Sequence, residues 1–249
     1  MVLSMDRWKG KVAIVSGASA GIGEAIADAL VEEGVIVNLS TLIHLTSHSI
    51  SGKRGKLHPI KAEFSQEEDI LKVFEWTSKN LGPVHILINN AGLATQSTLT
   101  DGKTEDWKSV FDLNVIGLSI ATREAVKIMK ENKIHGHIIH INSTLGHQVI
   151  NVPRMNVYPA SKFAVTALTE TLRQELNHLG LKIKISSVSP GLVATRRTTF
   201  AKDLTHERKA FYENRPALNS EDIADGVIYA LSTPEHVQVH ELTLIPWGP

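Results

Sequence analysis

The chain has 249 residues, 42% of them hydrophobic and 21% charged, which is typical of a globular protein with enough sequence for a sizeable core. The formal net charge is zero, because there are 26 lysines and arginines together and 26 aspartates and glutamates together. The chain therefore lacks the basic excess that is typical of proteins that bind nucleic acids or membrane surfaces. There is no cysteine, which excludes disulfides, thiolate catalysis and cysteine-ligated metals.

The first residues contain no long apolar segment behind a basic region. We therefore expect neither a signal peptide nor a membrane anchor, and a cytoplasmic location. The apolar run in this region, VAIV from Val12, has the length of a strand rather than of a membrane span.

Short apolar runs then alternate with helical patterns along the whole chain. Strands are predicted at KVAIVSG, VIVNLS, LHPIKAEF, VHILINNAG, GHIIHINS, LKIKISSVSPG and HELTLIP. Helices are predicted at GEAIADALVEEG, SQEEDILKVFEWTSKNLG, EDWKSVFDLNVIGLSIATREAVKIMKEN, SKFAVTALTETLRQELNHLG and SEDIADGVIYALSTP.

Two helix ends carry specific signals. The first helix is expected to end at Gly34, and the second to begin at Ser65 as N-cap, with Glu68 three positions on. Residues 40–56 are rich in Ser, Thr, His and Gly, so we expect a short helix or an irregular loop there.

Alternating strands and helices of this length predict βαβ units connected right-handedly. The near-continuous apolar strands indicate a sheet covered on both faces. We expect an α/β fold, a single doubly wound Rossmann-type domain over residues 1–249 with a central, mostly parallel, seven-stranded sheet. The cofactor half would span about 8–140, and substrate-determining loops about 144–157 and 194–219.

The segment NVYPASKFAV places a tyrosine four residues before a lysine. On a helix, Tyr158 and Lys162 would share a face, and the cation would favour the phenolate and lower the phenol's pKa. A partly buried tyrosine beside a solvated lysine is the alternative.

A glycine cluster, SGASAGIGEAI, runs from the first strand into the first helix. Gly17, Gly21 and Gly23 would serve a tight turn, a close approach of backbone to phosphate, and helix packing on the strand. The helix N-terminus would then face a pyrophosphate. No lysine follows the last two glycines, so a nucleoside-triphosphate loop is excluded.

Four motifs in order resemble the short-chain dehydrogenase/reductases over nearly the whole chain. They are the glycine cluster, NNAG from Asn89, the Tyr158-x-x-x-Lys162 pair, and Pro190–Gly191. The stretches TREAVKIMKE, ALTETLRQEL and YALSTPEHVQ are similar to the animal subgroup of dehydrogenase/reductase member 11 and the insect farnesol dehydrogenases.

The resemblance implies a catalytic tetrad of Asn114, Ser143, Tyr158 and Lys162. Tyr158 would be the acid/base, and Lys162 would lower its pKa and bind the nicotinamide ribose. Ser143 would hydrogen-bond the substrate oxygen, with Thr144 as a competitor for that role, and Asn114 would hold a proton-relay water. Ser143 and Tyr158 would thus contact the substrate.

The resemblance also implies a dinucleotide site built from many short segments. Its expected members are Gly17, Ser19, Ala20, Gly21, Ile22, Gly23, Ser40, Thr41, Glu63, Phe64, Asn90, Ala91, Gly92, Tyr158, Lys162, Pro190, Gly191, Val193 and Thr195. No metal ligand is among them.

The end of the second strand, VNLSTLIH, departs from the family pattern because it has neither the acidic residue that favours NAD nor the subgroup's arginine. Ser40 and Thr41 could hydrogen-bond a 2′-phosphate, and Lys53 and Arg54 could reach back to it. NADP(H) is therefore favoured, with NAD(H) not excluded. Glu63 stands where the family usually has Asp at the adenine.

The segments TLGHQVINVPRMNV and ATRRTTFAKDLTHERKAFYENR would line the substrate pocket. Val149, Val152 and Met155 suggest an apolar wall for a lipophilic alcohol or ketone, isoprenoid- or steroid-like. Packing of the loops alone explains these residues equally well. The helices around 105–131 and 161–179 commonly form a dimer interface in this family, so a homodimer or homotetramer is expected.

Twelve histidines invite a metal site. His137 and His140 differ in parity, so they should point to opposite faces of the fifth strand. Without cysteine or an H-x-x-x-H pair, hydrogen-bonded or solvated histidines are favoured over zinc.

An active oxidoreductase is the favoured function. A cofactor-binding or regulatory homologue with little catalysis is the alternative, and an interaction protein without cofactor is a third hypothesis.

Overall fold

The structure, a computed structural model, describes residues 3–41, 54–195, 205–213 and 215–248. Seven strands form one sheet in the order β3-β2-β1-β4-β5-β6-β7, and every neighbouring pair is parallel. The strands are β1 Val12–Ser16, β2 Ile36–Thr41, β3 Lys56–Lys61, β4 Val84–Asn89, β5 His137–Ile141, β6 Lys184–Pro190 and β7 Glu241–Leu244.

Helices connect the strands and cover both faces of the sheet. The α-helices are α1 Ile22–Glu32, α2 Glu67–Asn80, α3 Thr104–Phe111, α4 Leu118–Glu131, α5 Tyr158–His178, α6 His206–Glu213 and α7 Ser220–Ser232. A π-helical turn, Asp112–Gly117, joins α3 to α4, and short 3₁₀ turns occupy Asp6–Trp8 and Thr144–Gly146.

Two hydrophobic clusters hold the layers together, one on each face of the sheet. Alternate residues of a strand point to opposite faces, so in β4 Ile86 and Ile88 join one cluster and Leu87 joins the other. The first cluster packs α1 and α7 on the sheet, and the second packs α2, α4 and α5. The central strands are buried on both sides, which explains their near-continuous apolar sequences.

The α/β, doubly wound Rossmann-type fold and its seven-stranded sheet are confirmed. α1 ends as expected, because Gly34 has a φ of 87° directly after the helix. Most of residues 40–56 lie outside the described residues, as do 196–204 within the second expected substrate loop.

Two helix predictions were wrong. α2 does not begin with Ser65 as N-cap: Gln66 holds that position without a side-chain cap, and the Ser65 hydroxyl instead donates to Glu63 Oε1 at 2.9 Å. The helix expected over 105–132 is interrupted by the π-helical turn. At Gly117 a Cβ would collide with the Phe64 carbonyl, so only glycine allows this approach of the two segments.

The strand order reverses between β1 and β4. In sheets of this kind, ligands bind in the crevice outside the carboxyl ends of the strands at that point. The loops that leave β1, β4, β5 and β6 all reach this edge, and they carry most of the candidate residues.

Candidate active site

The glycine turn leaves β1 at the point where the strand order reverses. Gly17 has a φ of 65°, and a Cβ there would lie 2.7 Å from Ala91 Cα. Gly21 has a φ of 63° and immediately precedes α1. A Cβ on Gly23 would press into the Asn90 amide. The three glycines thus permit the turn, its entry into the helix and the contact of that helix with the β4 exit.

A hydrogen-bonded clamp fixes the turn against the exit of β4. Asn90 Nδ2 donates to the carbonyls of Ser16 at 2.9 Å and Gly17 at 3.0 Å. In return, Ser16 Oγ accepts from the backbone N–H groups of Asn90 at 3.1 Å and Ala91 at 3.0 Å. The Asn90 side chain therefore shapes the turn.

The remaining residues of the turn lie where the sequence placed them. Ser19 and Ala20 are half-buried in the turn, and Ile22 is the first residue of α1. Together with Gly21 they surround the helix N-terminus, whose first N–H groups have no acceptor within the helix and suit a phosphate.

Tyr158 and Lys162 occupy the first turn and a half of α5. Lys162 Nζ lies 5.8 Å from the centroid of the Tyr158 ring and donates to the Ile141 carbonyl at 2.9 Å. Lys162 is buried, and burial lowers the pKa of its ammonium to about 8. The cation sits close to the phenol, as the spacing of the two residues predicts.

Asn114 lies in the π-helical turn and is almost fully buried. Its Oδ1 accepts from the Leu93 N–H at 2.8 Å, and its Nδ2 donates to the Leu93 carbonyl at 2.9 Å and to Ser161 Oγ at 3.0 Å. The amide thereby ties the loop after β4 to α5. Gly92 borders this contact, since a Cβ there would lie 3.6 Å from Asn114 Oδ1.

Ser143 follows β5 by two residues and caps the 3₁₀ turn Thr144–Gly146. Its Oγ accepts from the Leu145 N–H at 3.1 Å. No hydrogen bond among the described residues uses its hydroxyl proton, which can therefore be donated to a ligand. Thr144, the competitor, lies within the turn that Ser143 caps.

Behind Lys162 lies a buried polar seam, defined here as Asn89, Thr122, His140 and Thr169. His140 bonds through Nδ1 to Thr169 Oγ1 at 3.0 Å and through Nε2 to Thr122 Oγ1 at 3.3 Å, and Asn89 Nδ2 donates to Thr122 at 2.9 Å. Burial, and then the charge of Lys162, lower the pKa of His140 to about 3. A neutral imidazole therefore lies beside the lysine. The sequence indicated a hydrogen-bonded or solvated histidine at this position, but not its placement next to Lys162.

His137 faces the other side of β5, as the parity of the two positions predicts. Its Nε2 bonds to Ser186 Oγ at 2.9 Å. Burial lowers the pKa of His137 well below the usual value. Within the described ranges, no three His, Cys, Asp or Glu side chains gather as a metal site.

The end of β2 differs from expectation. The Ser40 side chain is buried against α2 and donates to Asn38 Oδ1 at 3.1 Å, while Asn38 donates to Thr77 Oγ1. Only the Ser40 carbonyl reaches the glycine turn, accepting from the Gly17 N–H at 2.9 Å. The side chain of Thr41, and all of Lys53, lie outside the described residues.

The expected adenine side is also rearranged. Glu63 is held by the Ser65 hydroxyl, and its backbone N–H donates to Asp69 Oδ2 at 3.1 Å. Phe64 is buried and belongs to the same hydrophobic cluster as Ile70, Val73 and Phe74 of α2. The structure thus does not bring Ser40 and Phe64 side chains to the crevice.

The segment after β6 closes the crevice from the opposite side. The Gly191 N–H donates to the Leu244 carbonyl at 2.7 Å, and Val193 pairs with Leu218. Thr195 Cγ2 would lie 3.3 Å from a Cβ on Gly21. Pro190 is the last residue of β6, so the Pro190–Thr195 segment runs from the sheet edge to the glycine turn.

The loop after β4 and the loop that precedes α5 are tied to each other. Asn156 Nδ2 donates to the Thr95 carbonyl at 2.9 Å and to Ser97 Oγ at 3.0 Å, and Met155 pairs with Ser97. α6 joins them through the Thr205 N–H, which donates to Gln96 Oε1 at 3.0 Å. These contacts border the residues that precede Tyr158.

A parallel sheet with a glycine turn at its reversal point, and a Tyr–Lys pair at the same edge, define a dinucleotide-dependent oxidoreductase. The profile described as short chain dehydrogenase matches residues 11–205. The chain belongs to the short-chain dehydrogenase family and is an oxidoreductase of that family, which uses NAD(P) and acts on small substrates.

Curated relatives match over nearly the full chain. A protein named farnesol dehydrogenase from Aedes aegypti is 45% identical, covering 98% of this chain and 99% of the relative. Dehydrogenase/reductase SDR family member 11 from Homo sapiens is 44% identical, covering 97% and 96%. The resemblance to these two groups is thereby confirmed.

A solved short-chain type dehydrogenase/reductase from Mycobacterium marinum superposes with a TM-score of 0.84 at 26% identity, covering 96% of this chain and 95% of that one. An alcohol dehydrogenase from the archaeon Thermococcus sibiricus, complexed with 5-hydroxy-NADP, shares the fold with a TM-score of 0.79, 24% identity and coverage of 94% and 95%. In the described ranges, no helix is both long and apolar enough to cross a bilayer.

Proposed function

We propose that this protein is an NADP(H)-preferring oxidoreductase that interconverts a lipophilic alcohol and its ketone or aldehyde. The observation that carries the proposal is the placement of Tyr158, with the buried Lys162 ammonium 5.8 Å from its ring, at the edge of the sheet that also holds the glycine turn.

The residues present fit a dinucleotide. At Gly21 the chain approaches Thr195 closely enough that a Cβ would be in tight contact, and the turn leads directly into the N-terminus of α1. The glycine turn would hold the pyrophosphate, Ala91 and Gly92 the adenine ribose, and Pro190–Thr195 the nicotinamide. When bound, the nicotinamide supplies or accepts the hydride.

The side chains of the chain itself would manage the proton. In reduction, Tyr158 donates its phenolic proton to the substrate oxygen, and in oxidation its phenolate takes that proton back. Lys162 stabilises the phenolate by its charge. Ser143 donates its unused hydroxyl proton to the same oxygen and so fixes the position of the substrate.

Asn114 contributes by position. Its amide bonds hold Leu93 and Ser161, so the helix that carries Tyr158 and Lys162 keeps its distance from the loop after β4. Any water relay beside Lys162 would start from this turn.

The preference for NADP(H) is supported by the absence of an acidic residue at the end of β2, where Asn38, Leu39, Ser40 and Thr41 follow one another. A carboxylate there would repel a 2′-phosphate, and none is present. NAD(H) is the second choice.

The lipophilic substrate is supported by the loop between Ser143 and Tyr158. Val149 and Ile150 are exposed, and Val152 and Met155 accompany them, so this loop offers an apolar surface near the phenol. The name of the Aedes aegypti relative points to an isoprenoid alcohol, and a steroid-like skeleton would suit the same surface.

The acid/base role is tested with Tyr158→Phe, which removes the phenolic proton and keeps the ring. We expect kcat for ketone reduction to fall about 10²- to 10⁴-fold. The Kd of NADPH, followed by nicotinamide fluorescence, should stay within about twofold, because the pyrophosphate contacts are untouched. Tyr229→Phe, on an exposed tyrosine of α7, is the matched control.

Turnover retained in Tyr158→Phe would remove this residue from the acid/base role. The same titration with NADH decides the cofactor: tighter NADH binding would overturn the NADP(H) preference and keep the chemistry. If wild-type protein binds neither dinucleotide, the result favours the alternative, a homologue with weakened nucleotide binding and little catalysis.

A further inference from the structure

Arg208 is a buried cation on helix α6. Its side chain is 6% exposed, and its Nη2 donates to Tyr212 Oη at 3.0 Å and contacts Met155 Sδ at 3.1 Å. The guanidinium carbon lies 5.8 Å from the centroid of the Tyr212 ring. No carboxylate among the described residues pairs with it, and its Nε has no hydrogen-bond partner.

These contacts do not explain why a cation is buried here. A guanidinium carries five N–H donors. Its partners here are a thioether, which is a weak acceptor, and one phenol oxygen, so most of these donors have no strong acceptor among the described residues. Removing an arginine from water without an anionic or strongly accepting partner is unfavourable. By contrast, Arg173 on α5 is half-exposed and has a bidentate partner in Glu170, at 2.7 Å for both contacts.

The guanidinium lies beside the loop that precedes α5, which in turn pairs with the loop after β4. The guanidinium touches Met155, whose carbonyl oxygen accepts a hydrogen bond from the Tyr158 N–H at 3.0 Å. Met155 also forms a β-bridge with Ser97 in the facing loop. α6 is anchored to the same loop through Thr205 and Gln96. The head group therefore contacts a residue three positions before the proposed acid/base, in a loop that the sequence predicts to line the substrate pocket.

We propose that Arg208 binds a carboxylate at the end of the substrate remote from the reacting carbon. The inference rests on the proposed function and narrows its substrate class: an apolar skeleton with an oxo or hydroxy group at one end and a carboxylate at the other. The planar fork of a guanidinium matches a carboxylate with two parallel hydrogen bonds. The apolar residues Val149, Val152 and Met155 would accompany the skeleton between its two polar ends.

Two methyl ketones of equal chain length test the inference. 2-Decanone and 9-oxodecanoate share the same ten-carbon ketone chain, and only the second carries a remote carboxylate. With wild-type protein and NADPH, we expect kcat/KM to be at least about tenfold higher for 9-oxodecanoate, mainly through a lower KM. Arg208→Met should lower this ratio about tenfold or more, and Arg208→Lys should lower it less, because the charge remains but the fork is lost.

Lys209→Leu is the control, since Lys209 is an exposed cation of the same helix. It should leave the ratio of the two kcat/KM values at the wild-type value. A ratio that is equal in wild type and Arg208→Met would overturn the inference, and so would equal use of both ketones by the wild type. Because a ratio is compared, a variant that folds poorly does not imitate the expected result.

Calorimetric titration of both ketones in the presence of NADP⁺ separates this inference from the proposed reaction. Carboxylate-dependent binding that disappears in Arg208→Met supports the site even where neither ketone is turned over, and that result would count against the proposed reaction alone. Equal binding of 9-oxodecanoate by wild type and Arg208→Met overturns the carboxylate site whatever the turnover.

Discussion

At the scale of the residue, burial controls the titration of the groups around the proposed acid/base. Lys162, His140 and His137 are all enclosed by the sheet and its helices, and burial disfavours the charged form of each. The lysine is nevertheless protonated near neutral pH, while His140 remains neutral. Of these three groups, Lys162 alone is charged at neutral pH, and the buried polar seam adds hydrogen bonds beside it without adding charge.

His140 makes the stability of the protein depend on pH. Its folded-state pKa is about 3 and its unfolded value about 6.5, so the unfolded chain binds a proton that the folded chain does not. Stability is thus unaffected above pH 6.5 and is lost as the pH falls from 6.5 towards 3. At pH 5, proton binding to His140 in the unfolded chain should lower the free energy of unfolding by about 2 kcal/mol relative to pH 7.5.

Urea unfolding at pH 7.5 and pH 5 measures this effect. His140→Asn should lose about 2 kcal/mol less than wild type between the two pH values, whatever its own stability at pH 7.5. His178→Asn, on an exposed histidine at the end of α5, should behave as wild type. An unchanged pH dependence in His140→Asn would show that this imidazole is protonated in the folded state.

Some single residues were predictable and others were not, for a physical reason. The proximity of Tyr158 and Lys162 depends only on helical spacing, so their separation of four residues was sufficient to predict it. The orientation of Ser40 depends on the phase of β2, because successive residues of a strand face opposite sides. Ser40 shares the phase of Asn38 and turns inward, which the sequence of the strand end did not reveal.

At the scale of the element, local sequence predicted where helices occur better than how they begin or bend. The DLNVIG segment contains no proline, and its one glycine is the last residue, yet it adopts a π-helical turn. The cause is tertiary, since the Phe64 carbonyl approaches Gly117 from a segment about fifty residues away. Ser65 likewise was expected to cap α2, but the helix begins one residue later with Gln66 at the N-cap, and the Ser65 hydroxyl donates to Glu63.

The start of α7 carries a capping box that can be tested. The Asn219 side chain accepts from the backbone of Asp222, and Asp222 Oδ2 accepts from the Asn219 N–H at 2.7 Å. Asn219→Ala should lower the free energy of unfolding by about 1 kcal/mol, because the backbone N–H of Asp222 loses its fixed acceptor while the bond from the Asn219 N–H to Asp222 remains. Chemical denaturation at pH 7.5 measures the change.

Asn177→Ala is the matched control for this cap, because Asn177 is an exposed residue in the last turn of α5. It should change the free energy of unfolding by less than about 0.5 kcal/mol. If Asn219→Ala changed stability as little as Asn177→Ala, solvent would be satisfying the α7 N-terminus and the capping box would add nothing.

At the scale of the whole molecule, the alternation of strands and helices was sufficient to predict the doubly wound sheet, because parallel strands need crossover helices and these are right-handed. Interfaces between molecules are harder to predict, since the same apolar residues can pack on their own sheet. Ile116 on the π-helical turn and Phe163 on α5 remain exposed on neighbouring elements.

We propose that these two side chains contribute to a dimer interface along α4 and α5. Phe163→Glu should convert the dimer into a monomer, because it places a charge in a surface that would be desolvated. Light scattering coupled to size-exclusion chromatography measures the mass. Leu71→Glu, on a comparably exposed apolar residue of α2, should not change it. A wild-type protein that is monomeric at micromolar concentration would refute the interface.

The clamp between Ser16 and Asn90 also bears on the order in which this chain folds. Its four hydrogen bonds join residues more than seventy positions apart, so the loop they close must already be collapsed before they can form. The first strand, its helix and the glycines between them can assemble early from nearby residues. The glycine turn, however, reaches its final shape only after β4 has docked beside β1. During synthesis on the ribosome, the final shape of the glycine turn should therefore appear abruptly, once β4 and the chain through Gly92 have left the exit tunnel, and not gradually as the glycines themselves emerge.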